Sequence, residues 1–118
     1  MTTEQIQTAM LDSIARRDEL VTEYAAKNRA AADAECALKL AHAKAVLQKG
    51  GSNAEERKAN ADLAVDAEMF KAKLLTAEAE GLLQAIRSKA DEISAYQSLL
   101  RLERMEAEAI HYRQRNGA

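Results

Sequence analysis

Apolar residues along this chain never gather into a long run. Large ones such as Met10, Val21, Leu40, Leu63, Phe70 and Ile93 stand among alanines and charged side chains. The charged pairs Asp12/Arg16, Glu23/Lys27 and Glu35/Lys39 each place an acid four residues ahead of a base. That order supports a helix and marks its solvated face. One interruption divides the pattern: LQKGGSNAEERKAN, residues 47 to 60, holds the only adjacent glycines in a chain with no proline. Gly50 and Gly51 can close a helix running back to Thr3, because glycine adopts the left-handed conformation that follows a last turn. Ser52 with Glu55 has capping-box spacing, and Asn53 with Glu56 repeats it one residue later. Lys44 and Lys49 complement the negative end of the first helix, and Glu55 and Glu56 the positive end of the second. The pattern predicts a helix over about 3–49, a turn at 50–52 and a helix over about 53–114, packed antiparallel.

Folding the chain at that turn, with residue 49 facing residue 54, sets a register. Leu63 then meets Leu40, Phe70 falls beside Ala32 and Ala34, Gly81 lies near Val21 and Tyr24, and Ile93 meets Met10. Bulk opposite small residues is what interdigitated packing requires. A glycine inside a helix costs about 1 kcal/mol relative to alanine, so the register assigns Gly81 a packing role against Tyr24. Thr3 faces Leu100, and RLERMEAEAIHYRQR, residues 101 to 115, has nothing of its own to pack on. That overhang is roughly 20 Å of helix at about 1.5 Å per residue. It carries Leu102, Met105, Ile110 and Tyr112, which the reading assigns to self-association. A bend in the first helix around Ala30–Ala32 is the alternative, since it would shift the register and cover the segment.

Composition sharpens this picture. Ala, Glu, Lys, Leu and Arg make up 69 of the 118 residues, above the roughly 50% typical of coiled coils and long helices. Aromatic residues are only 3%, which leaves strands little support. Leu, Ile, Val and Phe total 22, yet the formal net charge is only −2. The chain therefore reads as a thin, Ala-rich helical core rather than a disordered polyelectrolyte. Such a core buries little surface per residue, so oligomerisation into a helical bundle is expected. The fold class is all-α: a single-domain, coiled-coil-like, long antiparallel two-helix hairpin. The start MTTEQIQTAM has neither the basic segment nor the apolar run of a signal peptide. No window approaches the roughly 18 apolar residues of a membrane span. The lone Cys36 reads as a small buried residue and fits a reducing compartment. A cytoplasmic protein with no membrane partner is the expectation.

Candidate chemistry is sparse. Glu108 and His111 have the ExxH spacing of di-iron helical bundles, but such sites need further carboxylates from other helices. His42 lies six residues from Cys36 and so on another helix face, at the edge of the packing surface. There is no glycine-rich phosphate loop and no nucleophile beside a positioned base. No enzyme activity, metal or cofactor is expected. Up to Lys49 the chain has 7 basic and 7 acidic residues, and from Ser52 onward 10 and 12. Binding to nucleic acid would thus need local sorting of charge. The candidate contacts are Arg16, Arg17, Arg87, Arg101 and Arg104, followed by Arg113 and Arg115 with Tyr112 available for stacking. In the register above, Arg17 lies close to Arg87.

The turn lacks the Trp-x-Gly of secreted helical hairpins. The stretches GGSNAEERKANADL and ISAYQSLLRLERMEAE instead resemble small helical accessory proteins of tailed phages and prophages. That resemblance implies a role in the host cytoplasm, beside phage DNA metabolism or in interference with a host factor, and it carries over no catalytic residue. The leading expectation is a non-enzymatic oligomeric adaptor or inhibitor that binds a protein partner, with Arg101 and Arg104 giving orientation. The alternative is a nucleic-acid-binding accessory protein of recombination or replication.

Overall fold

The computed structural model describes residues 1–117, and these form an all-α helical hairpin. Helix α1 runs unbroken over Thr3–Lys49, α2 covers Ala54–Ala64 and α3 covers Asp66–Arg115. The turn uses its two glycines as the sequence requires: Gly50 has φ 67° and Gly51 φ 154°. A side chain on Gly51 would bring its Cβ within 2.8 Å of the Arg57 backbone nitrogen, so both conformation and space demand glycine there. Of the two cap candidates, Asn53 is the one that caps, and Glu56 reaches past it to Ser52. Asn53 caps α2 by accepting from the Glu56 N–H at 2.8 Å, and Glu56 accepts in turn from the Ser52 N–H at 3.2 Å and from the Ser52 hydroxyl. These bonds hold the Glu56 carboxyl below its usual range, the Ser52 hydroxyl contributing most. Asn60 Nδ2 donates to the Gly50 carbonyl at 3.2 Å, tying the turn to the flank of α2.

The second arm is interrupted once, where one continuous helix was expected. Val65 separates α2 from α3 with φ −112° and ψ 19°. Hydrogen bonding nevertheless carries across it: its N–H donates to the Ala61 carbonyl at 3.2 Å, and the Met69 N–H to its own carbonyl at 2.9 Å. Val65 is β-branched, which disfavours the helix slightly, and its side chain is held in the core with Ala45 and Ala61. Helix α1, by contrast, passes through Ala30–Ala32 without a break.

Burial follows sevens. On the second arm the buried or half-buried positions recur as Val65, Ala72, Ala79, Ile86, Ile93 and Leu100. On α1 they recur as Ile6, Ser13 and Leu20, then after a four-residue step as Tyr24, Ala31, Leu38 and Ala45. A seven-residue repeat keeps one seam facing its neighbour, and a four-residue insertion locally unwinds it. The step falls where the chain divides into two compact units, Thr22–Leu83 and Met1–Val21 with the chain from Gln84 onward.

In the Thr22–Leu83 unit, Ala45, Ala61 and Val65 form the core, with Leu38, Ala41 and Val46 packed around it. Lys27 pairs with Glu78 at 2.7 Å, His42 Nε2 stands 2.8 Å from Asp62 Oδ1, and the Thr76 hydroxyl donates to Glu35 at 3.5 Å. In the other unit, Ile6, Leu20 and Ile93 are buried and the Ser13 hydroxyl donates to Glu92. Alanine dominates the seam, and among the described residues no large side chain is fully buried.

Several expected contacts are not made. Leu63 and Leu40 are exposed rather than paired, and Phe70 is 69% exposed rather than packed beside Ala32 and Ala34. Each lies off the seam: Phe70 is five residues past Val65 and Leu40 two past Leu38, about 140° and 200° around a helix. Close approach through alanine, not bulk, selects the inward face. Gly81 has no atom within 4 Å of where a Cβ would stand, so Tyr24 gives it no packing role. Tyr24 instead borders a groove with Ala79 and Leu83. Cys36 is exposed, not buried. At the open end Thr3 and Leu100 border one cleft, as the register places them, and the Thr3 hydroxyl donates to Glu103 one turn further on.

Candidate interaction surface

The last part of α3 runs on past the first residues of α1. Thr3, Gln7 and Met10 border a cleft with Gln97, Leu100, Arg101 and Arg104. From Arg104 to Gly117 every residue is exposed. Leu102, Met105, Ile110 and Tyr112 are therefore all open to solvent, at 54% to 68%. They occupy two faces of the helix. Ile110 lies seven residues past Glu103 and prolongs the inward side. Leu102, Met105 and Tyr112, with Ala109 between them, have the 3-4-3 spacing of a coiled-coil seam. Leu102 is two residues past Leu100, so this row lies about 200° around α3 from the surface that packs on α1. It is a second seam on the outward face.

A similar row escaped the sequence reading. Ala67, Phe70, Leu74 and Ala77 on α3 also follow 3-4-3 spacing and are all exposed. The size of Phe70 points inward, yet its place in the repeat turns it outward. The signal that locates the row is the count in sevens from Leu74 through Gly81, Ser88, Ala95 and Leu102 to Ala109, every one of them exposed.

The arginine candidates do not form a free basic stripe. Arg16 pairs with Glu19 at 3.0 Å, Arg17 meets Asp18 at 3.6 Å, and Arg104 lies 3.9 Å from Glu108. Arg101 borders the cleft near Thr3, and Arg87 is exposed. Carboxylates on the same helix offset much of the charge that would track phosphates.

Glu108 lies on the exposed end of α3, 3.9 Å from Arg104. Among the described residues no group of three or more His, Cys, Asp or Glu side chains could hold a metal ion. The grooves between the arms are open and lined by alanines and charged side chains, as where Glu23, Ala26, Lys27 and Ala30 face Glu78 and Gly81. The Glu92 carboxyl is held below its usual range first by Lys89, whose ammonium donates at 3.0 Å, and then by Ser13. Both partners are positioning contacts within the hairpin. No described helix is long and apolar enough to cross a membrane. No family model, curated protein or solved structure matches the chain.

Proposed function

We propose that this protein is a non-enzymatic helical interaction protein that self-associates and presents helical surface to a protein partner, as an adaptor or inhibitor. The observation that carries the reading is the outward row Leu102, Met105 and Tyr112, which no described residue buries. Exposed apolar rows with seam spacing cost solubility unless a second helix buries them. The thin alanine core supports the same conclusion, because burial against a further helix adds stability that one hairpin lacks. The proposal extends to the host cytoplasm, beside phage DNA metabolism or in interference with a host factor, on the resemblance of GGSNAEERKANADL and ISAYQSLLRLERMEAE alone. Arg101, next to Leu102, flanks the row and orients the partner through charge, while Arg104 stands on the side that borders Thr3, Gln7 and Met10.

The test is sedimentation equilibrium of the full chain beside the variant Leu102→Glu/Met105→Glu. Self-association through this row requires an oligomer that the variant reduces to monomer with its helical content retained. An unchanged mass would sink the assignment.

A further inference from the structure

We propose that the outward seam of α3 pairs with the same seam of a second copy of this chain, antiparallel, in the register that sets Met105 against Leu74 of the second copy. This deepens the self-association reading and rests on it. Helix α3 is unbroken over Asp66–Arg115, and its outward positions, counted in sevens from Ala67 and Phe70, are exposed to the last. They are apolar toward both ends of the helix and polar between, where Gln84, Ser88, Asp91 and Ser98 occupy seam positions. A helix with apolar ends and a polar middle matches its own reversed copy.

The register follows from the charges beside the seam. With Met105 on Leu74, Asp66 faces Arg115 of the second copy and Lys73 faces Glu108 of the second copy. Likewise Glu80 faces Arg101, and on the other flank Lys71 faces Glu106. Every flanking pair with two charges is attractive, and two-fold symmetry makes each twice. A slip of one heptad in one direction puts Asp66 on Glu108, Lys73 on Arg101 and Arg87 on Arg87. A slip the other way puts Lys73 on Arg115 and Glu80 on Glu108. Both slips are uniformly repulsive, the means by which charges flanking a coiled coil set register.

Orientation follows from the seam itself. Parallel, in-register pairing also gives attractive flanks, but it stacks Asp91 on Asp91, Phe70 on Phe70 and Gly81 on Gly81. Antiparallel pairing sets Asp91 beside Ser88 and three of the large residues against alanines, Tyr112 on Ala67, Phe70 on Ala109 and Leu102 on Ala77, leaving Met105 on Leu74 as the one pair of large side chains. Like charges inside a seam and stacked bulk are both unfavourable.

The experiment is sedimentation equilibrium of the full chain with Lys73→Glu, Glu108→Lys and the two combined. Both positions are exposed, and circular dichroism checks that helix is retained. Each single change should weaken the dimer by about tenfold, since attraction becomes repulsion at two symmetric places. The combined change should restore it. In the parallel pairing Lys73 faces Glu78 and Glu108 faces Arg113, so the combined change would be worse than either alone. Weakening without rescue overturns the antiparallel register and leaves self-association standing. An oligomer indifferent to all three variants places assembly on another surface. A wild-type monomer overturns both. Should a charge variant lose helix, Cys36→Ser chains carrying Ala77→Cys or Leu102→Cys give a second measurement. Mixed, they should form a disulfide-linked dimer that neither forms alone, and no mixed dimer overturns the register.

Discussion

The hydroxyl of Ser13 donates a 3.1 Å hydrogen bond to Glu92, from the opposite arm of the hairpin. Among the described residues Ser13 is the one buried polar side chain, at 7% exposure, and it stands where the repeat places Ile6 and Leu20 on either side. A polar group in a seam costs stability unless it is bonded. It also fixes which residue lies opposite, as single polar positions do in coiled coils. Lys89 completes the site from the next turn, 3.0 Å from the same carboxylate oxygen.

That carboxylate gives the hairpin a pH dependence with a definite sign. Lys89 and Ser13 lower the Glu92 pKa in the folded chain. The folded state therefore binds its proton less readily than the unfolded state does. The stabilisation is fully present above the ordinary carboxylate pKa and is lost as pH falls through the lowered folded value. Thermal unfolding followed from about pH 7 to about pH 3 should show a declining Tm for the native chain. Glu92→Gln should lower Tm at neutral pH and flatten the acid decline. A variant that declines as steeply as the native chain would remove Glu92 from the account.

Ala61 and Leu63 test which face holds the hairpin together. Ala61 is 0% exposed against Ala45 and Val65, while Leu63, two residues on, is 77% exposed. Enlarging the small residue should hurt more than trimming the large one. Ala61→Leu overfills a close contact and should cost about 1–3 kcal/mol in urea unfolding. Leu63→Ala removes exposed surface and should stay within about 0.5 kcal/mol of the native chain. The reverse ranking would place the seam on the bulky face.

The same two residues show what the sequence makes legible. Its one break, its caps and its helix ends come from local chemistry: glycine conformations, an Asn53 cap and a Glu56 that reaches back. Those follow from neighbours in the chain, and a sequence displays its neighbours. The register does not. Choosing partners by size led to Leu40, Leu63 and Phe70, whereas the arms meet through Ala31, Ala45, Ala61, Ala72 and Ala79. In an alanine-rich hairpin a small residue can serve either face, and only its recurrence in sevens separates the two. The break at Val65 was hidden for a related reason. Its hydrogen bonds continue through the irregularity, so no capping residue or glycine announces it. The exposed end of α3 was legible because it needed only the lengths of the arms. Its division into two faces needed the seam position as well.

Gly81 carries the last prediction. Inside a helix, glycine forgoes about 1 kcal/mol relative to alanine through the freedom it loses on folding. A close neighbour would justify that cost, yet nothing lies within 4 Å of the position an added Cβ would take. Its backbone is helical within α3 and needs no left-handed conformation. Gly81→Ala should therefore raise stability by about 1 kcal/mol, read as a higher urea midpoint with an unchanged slope. The proposed dimer does not alter the sign, because the position opposite is Ser98 of the second copy, a small residue with room for a methyl group. A loss of stability would show that the space beside Gly81 is filled in solution. Repeating the measurement over a range of chain concentrations would then tell whether the occupant is a second copy, since only that loss would grow with concentration.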